Sequence, residues 1–332
     1  MWEAGSGRVR TRSRSRRVGR RHSCIMWFRA DYDPGVAPFD LRARLRSGPP
    51  VLLDSAMGSE LERRGVTLDL PSWSARAIVD APEVVSAIHR ENVAAGADVL
   101  TANTFRTTRT ALERSGWADF AGDWTGEAVR MARAAAATAA RPVIVAGSVA
   151  PLFDCYRPDL VPGDVSALES EHARLVRDVV VSGVDCLFLE TFGTRREAMA
   201  AARVARASGL PFVGSLVSDG DGKLLSGEDL SDTAGLLWDE GAEAVAVNCV
   251  SIRKIGADIA RLAGAADGRP FGAYANILEE EEDPEGYAAR AAEWLALGAR
   301  LVGGCCGTTP AHTAALRRMI DRRGPAAGRS PR

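Results

Sequence analysis

Lysine is almost missing from this chain: two residues of 332, Lys223 and Lys254, stand against 40 arginines. A bias that pervasive strips any single arginine cluster of special meaning. An excess of one charge is missing too, because the formal net charge is −1 at pH 7. The sequence therefore gives no electrostatic reason to expect nucleic acid or an anionic membrane as a partner. No apolar run approaches the ~18 residues of a membrane span, and there is no apolar signal-peptide core. A cytoplasmic protein acting on small molecules is expected, with its six cysteines reduced. Histidine is scarce. His89 and His172 fall within helical stretches and His312 opens the last one, so all three are expected to pack rather than bind metal. No Pro/Ser-rich linker interrupts residues 40 to 322, which are expected to form one domain.

Residues 8 to 21 carry eight arginines and no acid. Such a stretch cannot build a core, and residues 1 to 35 are expected to be a disordered leader, with Met26 as an alternative start. A transit peptide or an RNA-binding arm is the competing reading of that leader. Residues 323 to 332 are expected to be a disordered tail.

Short β-branched runs alternate with Ala/Arg/Glu-rich stretches, the pattern of a parallel sheet built from βα units. Strands are expected at Val51 to Met57, Ala97 to Asn103, Pro142 to Ala150, Cys186 to Phe192, Pro211 to Ser218, Ala244 to Val250, Pro270 to Asn276 and Arg300 to Cys306. Helical segments between them include Pro82 to Ala95, Asp164 to Ser182, Arg195 to Ser208, Asp229 to Glu240, Ser251 to Ala263, Gly286 to Leu297 and Pro310 to Arg322. Several end in glycine just before the next strand, as in AAGADVL and ALGARLV. Glycine there suits a left-handed residue that stops a helix. Eight βα units in about 250 residues predict an α/β fold of the (β/α)8 TIM-barrel class. An open doubly wound sheet is the runner-up, but DSAMGSE after the first strand is not a Gly-rich phosphate turn.

In such barrels chemistry sits where strands end. Here those ends are polar: Asp54, Asn103 with Thr104, Ser148, Glu190, Asn248 with Cys249, Asn276, and Cys305 with Cys306. Three thiolates suit Zn2+, with a fourth place for substrate. Adjacent residues on a regular strand point to opposite faces, but Gly303, Gly304 and Gly307 permit the backbone that would turn Cys305 and Cys306 to one side. The alternative is three unrelated buried thiols. A further thiol binding at such a metal loses its proton, so the implied chemistry is methyl transfer to a thiol. Asp54 and Glu190 are then candidate anchors for a cationic amino group, with Asn103, Thr104 and Asn248 as nearby candidates for substrate contact. Two alternatives stand beside that reading: acid/base work by the carboxylate pair, and a helix N-cap role for Asp54.

The segments LLDSAMGSELERRG, VAGSVAP, LFLETF, AVNC and GGCCGTTPAH together resemble the homocysteine S-methyltransferase family over residues 48 to 322. The resemblance implies a zinc-dependent barrel that methylates homocysteine to methionine, with Cys249, Cys305 and Cys306 as ligands and Asp54 and Glu190 on the substrate amino group. It is closer to single-domain S-methylmethionine users than to betaine users. Two other functions remain: a module methylated through a separate corrinoid protein, and a zinc-binding barrel without turnover. The chain departs from the family's DGAMGTEL at Ser55 and Ser59, and an extra hydroxymethyl at Ser55 is expected to narrow or re-orient the pocket. Four consecutive glutamates, Glu279 to Glu282, are expected in a solvated loop or at the cavity mouth, where they would favour a cationic donor.

Overall fold

A computed structural model describes residues 39–323. The expectations for residues 1 to 35 and 324 to 332 lie outside the described residues. Eight strands are present: β1 Val51–Leu52, β2 Val99–Ala102, β3 Ile144–Val149, β4 Cys186–Phe192, β5 Phe212–Leu216, β6 Ala244–Ser251, β7 Phe271–Asn276 and β8 Leu301–Val302. They pair in parallel in the order β1-β8-β7-β6-β5-β4-β3-β2. The ring is closed by a parallel bridge between Leu53 and Val99 and by hydrogen bonds from Asp98 N to Leu52 O (2.7 Å) and Asp54 N to Val99 O (3.2 Å). This is the expected (β/α)8 barrel.

Alternation sorts the strand residues into two cores. Val51, Val99, Ile144, Ala146, Cys186, Phe188, Val213, Ala244, Ala246 and Leu301 fill the barrel interior, Cys186 among them as plain core. Their neighbours Leu52, Val145, Leu187, Val245 and Val302 face outward onto the helices. One step further along the same inward positions, the side chains become polar: Thr101, Ser148, Glu190, Ser215 and Asn248. The apolar plug thus ends in a polar floor at the C-terminal face.

Helix ends follow local chemistry. Asp164, Thr194, Asp229 and Asp283 accept hydrogen bonds from the first free backbone N–H groups of the helices they precede. Asp283 followed by Pro284 starts its helix two residues before the expected Gly286, giving Pro284–Ala296. The helix after β6 begins at Ile255 instead of Ser251, because Ser251 still belongs to the strand. Gly96, Gly183, Gly209, Gly241 and Gly298, which close the helix-to-strand turns, all have φ between 79° and 105°. A further helix, Ala121–Ala136, lies between β2 and β3 outside the expected set; Gly122 and Gly126 weaken its propensity while Trp124, Ala128, Met131 and Ala135 supply its buried face. The last helix runs to Arg323, one residue into the expected tail.

The strand expectations were too long at β1 and β8. Their ladders stop at Leu52 and Val302, because beyond those residues the backbone turns to the barrel closure and to the cysteine turn. Among the described residues no helix is long and apolar enough to cross a membrane.

Candidate metal and substrate site

Cys249, Cys305 and Cys306 converge at the C-terminal end of the barrel, with their sulfurs all within 4.8 Å of one another and Cys249 Sγ 3.6 Å from Cys306 Sγ. Three thiolates on a tetrahedral zinc at Zn–S ≈ 2.3 Å stand ~3.8 Å apart. The donor set and spacing therefore fit a thiophilic cation.

Two backbone irregularities achieve this. The register between β6 and β7 shifts between Asn248 and Ser251, and Cys249 lies in the left-handed region at φ 58°. On a regular strand Cys249 would point away from Asn248; the bulge brings both to the cavity. Asn276 Nδ2 donates to Cys249 O at 2.7 Å and holds that conformation. The β4–β5 register shifts likewise between Leu189 and Phe192, with Thr191 at φ 65°. A β-branched residue there is strained. Asn248 compensates it, accepting from Thr191 N (3.0 Å) and donating to Thr191 Oγ1 (2.8 Å). Asn248 lines the cavity, yet its amide is spent on supporting the backbone beside Glu190.

The tandem cysteines sit on a turn. Gly307 has φ 86°, and a Cβ on Gly304 would lie 2.2 Å from Thr308 Oγ1, so both glycines are required there. Thr308 Oγ1 donates to Cys305 O (2.7 Å), and Ser59 Oγ accepts from Gly307 N (2.8 Å). Ser59 thus keeps the hydroxyl its position uses. Ser55 lines the cavity, and its hydroxyl donates to Asn92 Oδ1 at 3.0 Å.

Tyr287, reaching in from the helix Pro284–Ala296, is a residue that strand-end reasoning missed. Its hydroxyl accepts from Ala275 N (2.9 Å) and donates to Gly303 O (2.8 Å), tying β7 to the segment that carries the cysteines. Tyr287→Phe leaves these two buried groups unpaired; it is expected to lower stability by about 1–3 kcal/mol in denaturant unfolding and to loosen metal retention in parallel.

The thiols titrate as a set. Hydrogen bonds from the Cys249 and Cys305 thiols hold Cys306 well below the usual thiol range, while hydrogen bonding to Cys249 and Cys306, together with burial, holds Cys305 well above it. The hydroxyl of Tyr156 also donates to Cys249 Sγ, at 3.0 Å.

Beside the sulfurs opens a cavity of about 630 Å³. Asp54 and Glu190 lie on its floor, 6% exposed in the case of Asp54. Asp54 Oδ2 accepts from Thr101 N at 2.8 Å; it caps no helix, and the helix Gly58–Arg63 has no side-chain cap. The N-cap reading of Asp54 is thereby corrected. Glu190 accepts from the Ser148 hydroxyl at Oε2 and from Tyr274 Oη at Oε1 (3.1 Å). Burial pushes the Asp54 carboxyl up to about 8, helped by the nearby Glu190 charge, and burial pushes Glu190 up to about 7. Among the described residues neither has a cationic partner. Asp98, buried at the opposite end of the barrel, differs: Arg44, Arg141 and Arg317 all pair with it. The fold supplies cations to its structural carboxylate and none to the two in the cavity.

Asn103 lines the cavity, but its Oδ1 accepts from Ser74 Oγ and its Nδ2 donates to Ser74 O, both at 2.8 Å. Thr104 is not brought to the cavity: it is fully buried and its hydroxyl donates to Ser148 O at 2.8 Å. That corrects its expected place among the substrate contacts. None of Glu279 to Glu282 lines the cavity; Glu280 binds Ser251 Oγ (2.9 Å) and Arg253 (3.2 Å). The four glutamates lie in a loop with Glu279 and Glu281 exposed, as the solvated-loop reading has it. The histidines pack as expected. His89 and His172 are buried in helices, and His312 accepts from Thr309 N while its Nε2 meets Glu282 O.

Comparison with known proteins matches residues 51–320 to the profile of the family described as homocysteine S-methyltransferase. The chain is 27% identical to homocysteine S-methyltransferase 4 of Zea mays, covering 89% of this chain and 96% of the relative. It is 27% identical to the selenocysteine Se-methyltransferase of Brassica oleracea var. italica, covering 83% and 91%. The crystal structure of the metallated homocysteine methyltransferase MmuM of Escherichia coli superposes with a TM-score of 0.74 at 31% identity, covering 84% of this chain and 99% of that one.

Proposed function

The chain belongs to the homocysteine S-methyltransferase family, and from that premise we propose that it methylates the thiol of homocysteine to give methionine, with Zn2+ as cofactor and S-methylmethionine or a similar small sulfonium as donor. The observation that carries the reading is the convergence of Cys249, Cys305 and Cys306 within 4.8 Å beside a buried and a half-buried carboxylate, Asp54 and Glu190, that have no cationic partner among the described residues. A zinc ion held by those sulfurs would supply the positive charge that ionises an acceptor thiol at neutral pH.

The chain's own residues do the rest. Asp54 and Glu190 take the ammonium group of homocysteine, and the charge neutralised there is what their raised carboxyl pKa values call for. Ser148, Tyr274 and Thr101 N hold the two carboxylates in place. Trp73, Phe105, Phe153 and Tyr156 give the cavity an aromatic wall that excludes water and offers π-faces to a sulfonium. The acceptor sulfur attacks the methyl carbon of the donor and forms a new C–S bond. The old C–S bond breaks with its electron pair on the donor sulfur, which becomes a neutral thioether, and the thiol proton passes to solvent. No proton moves at carbon, so the carboxylates are needed for binding and not as an acid/base pair.

The zinc-loaded protein should be assayed with homocysteine and, in turn, S-methylmethionine, S-adenosylmethionine and betaine, following methionine by mass. Turnover with S-methylmethionine is the expected result. Absence of methionine from every donor overturns the reading, and activity only after addition of a methylated corrinoid protein transfers it to the corrinoid-dependent alternative.

A further inference from the structure

A buried guanidinium without a counter-ion faces the same cavity. Arg106 lies four residues beyond the end of β2, lines the chamber, and is 9% exposed. Its Nη1 donates to Phe153 O at 2.7 Å and its guanidinium lies 5.1 Å from the Phe105 ring centroid, so its plane is held from two sides. Its Nε is buried and has no hydrogen-bond partner. Among the described residues no carboxylate pairs with it. Leaving a buried donor of a charged group unpaired is costly, so an acceptor is needed to complete the site.

The chamber therefore holds ionisable groups of both signs without partners among the described residues: the carboxyls of Asp54 and Glu190, and the Arg106 guanidinium. Amino-acid substrates carry a group for each, an ammonium for the carboxylates and a carboxylate for the planar guanidinium fork. Loop placement agrees. Arg106 braces the segment after β3 that carries Phe153, and three residues on in that segment Tyr156 touches Cys249 Sγ. We infer that Arg106 binds the α-carboxylate of an amino-acid substrate through Nε and a neighbouring N–H. This rests on the proposed reaction, in which acceptor and donor both carry that group, and it adds a specificity residue that strand-end reasoning could not supply.

The test is calorimetric binding to zinc-loaded wild type and Arg106→Met, with metal content measured on both. Four probes are used: homocysteine, its decarboxylated counterpart 3-mercaptopropylamine, S-methylmethionine, and its decarboxylated counterpart (3-aminopropyl)dimethylsulfonium. Arg106→Met is expected to weaken one amino acid by about 10- to 100-fold while leaving that amino acid's decarboxylated counterpart unchanged. The affected pair identifies whether acceptor or donor uses the arginine, and Arg106→Lys should recover part of the loss. Equal binding by wild type and variant for all four probes overturns the inference. So does an equal loss for an amino acid and its counterpart, which marks a purely structural role. Wild-type turnover without the carboxylate contrast would remove Arg106 alone; the contrast without turnover would remove the proposed reaction alone; and wild type that binds neither amino acid removes both.

Discussion

Cys249→Ala and Cys306→Ala are each expected to abolish stoichiometric zinc and to reduce homocysteine methylation by at least about 10³-fold, while the barrel stays folded. Metal binding at these sulfurs and folding are separable here. Cys249 lies near the end of β6 and Cys306 on the turn that follows β8, above a barrel interior packed with Val, Ala and Phe side chains, and the backbone around them is held by Asn276, Ser59 and Thr308 as well as by the cysteines themselves. Losing one thiolate of three leaves a two-sulfur site that holds zinc poorly. Inductively coupled plasma mass spectrometry and circular dichroism on the same preparations read the two halves of the expectation. Retention of one zinc per chain in either variant would show that the ligands lie elsewhere.

The carboxylate floor gives the second large effect. Asp54→Asn and Glu190→Gln are each expected to lower kcat/KM for homocysteine by about 10²- to 10³-fold, the scale of breaking a buried ion pair. Their effect on the free protein should have the opposite sign. The carboxyl groups of Asp54 and Glu190 are raised by burial to about 8 and about 7, from ordinary values of 3.8 and 4.5. The folded state therefore binds these protons more tightly than the unfolded chain. Their contribution to stability is full below the ordinary carboxylate range and is lost as pH rises through 7 to 8. An amide at either position removes that loss, so the variants should melt higher than wild type at pH 8, with the gap narrowing as pH falls and closing only near the ordinary carboxylate values of 3.8 and 4.5. An ammonium ligand needs the ionised forms, so homocysteine should bind more tightly as pH rises from 6 to 8 and near pH 7 should release more protons than the one its thiol loses at zinc, an excess that shrinks in Asp54→Asn and Glu190→Gln. Calorimetry in buffers of different ionisation enthalpy counts those protons. Proton uptake, or affinity indifferent to pH, would detach the carboxylates from the amino group.

Much of this site could be read along the chain because strands expose their chemistry at fixed positions. The run AVAVNC places Asn248 and Cys249 at the end of β6, and LFLET places Glu190 at the end of β4. The helix-closing glycines were legible because a left-handed residue has few alternatives to glycine. What the chain concealed depends on three-dimensional supply. Nothing in AVNC signals the positive φ that brings Cys249 round to the cavity, since the Asn276 amide that holds it comes from β7. Tyr274, Tyr287 and Tyr156 meet Glu190, Gly303 and Cys249 from a strand, a helix and a loop that share no motif with them. Thr104 misled for a related reason: a polar residue next to a strand end can satisfy a neighbouring carbonyl, as it does with Ser148 O, instead of facing the ligand. Arg106 stands in a chain rich in arginine, where its burial at the cavity without a partner carboxylate among the described residues sets it apart.

X-ray absorption at the zinc edge tests the central claim most directly. The zinc-loaded protein should show three sulfur scatterers at about 2.3 Å with one lighter neighbour, changing to four sulfurs when homocysteine is added and remaining at two in Cys249→Ala if any metal is held at all. A site with fewer than three sulfurs in the wild type, or one that homocysteine leaves unchanged, would contradict it.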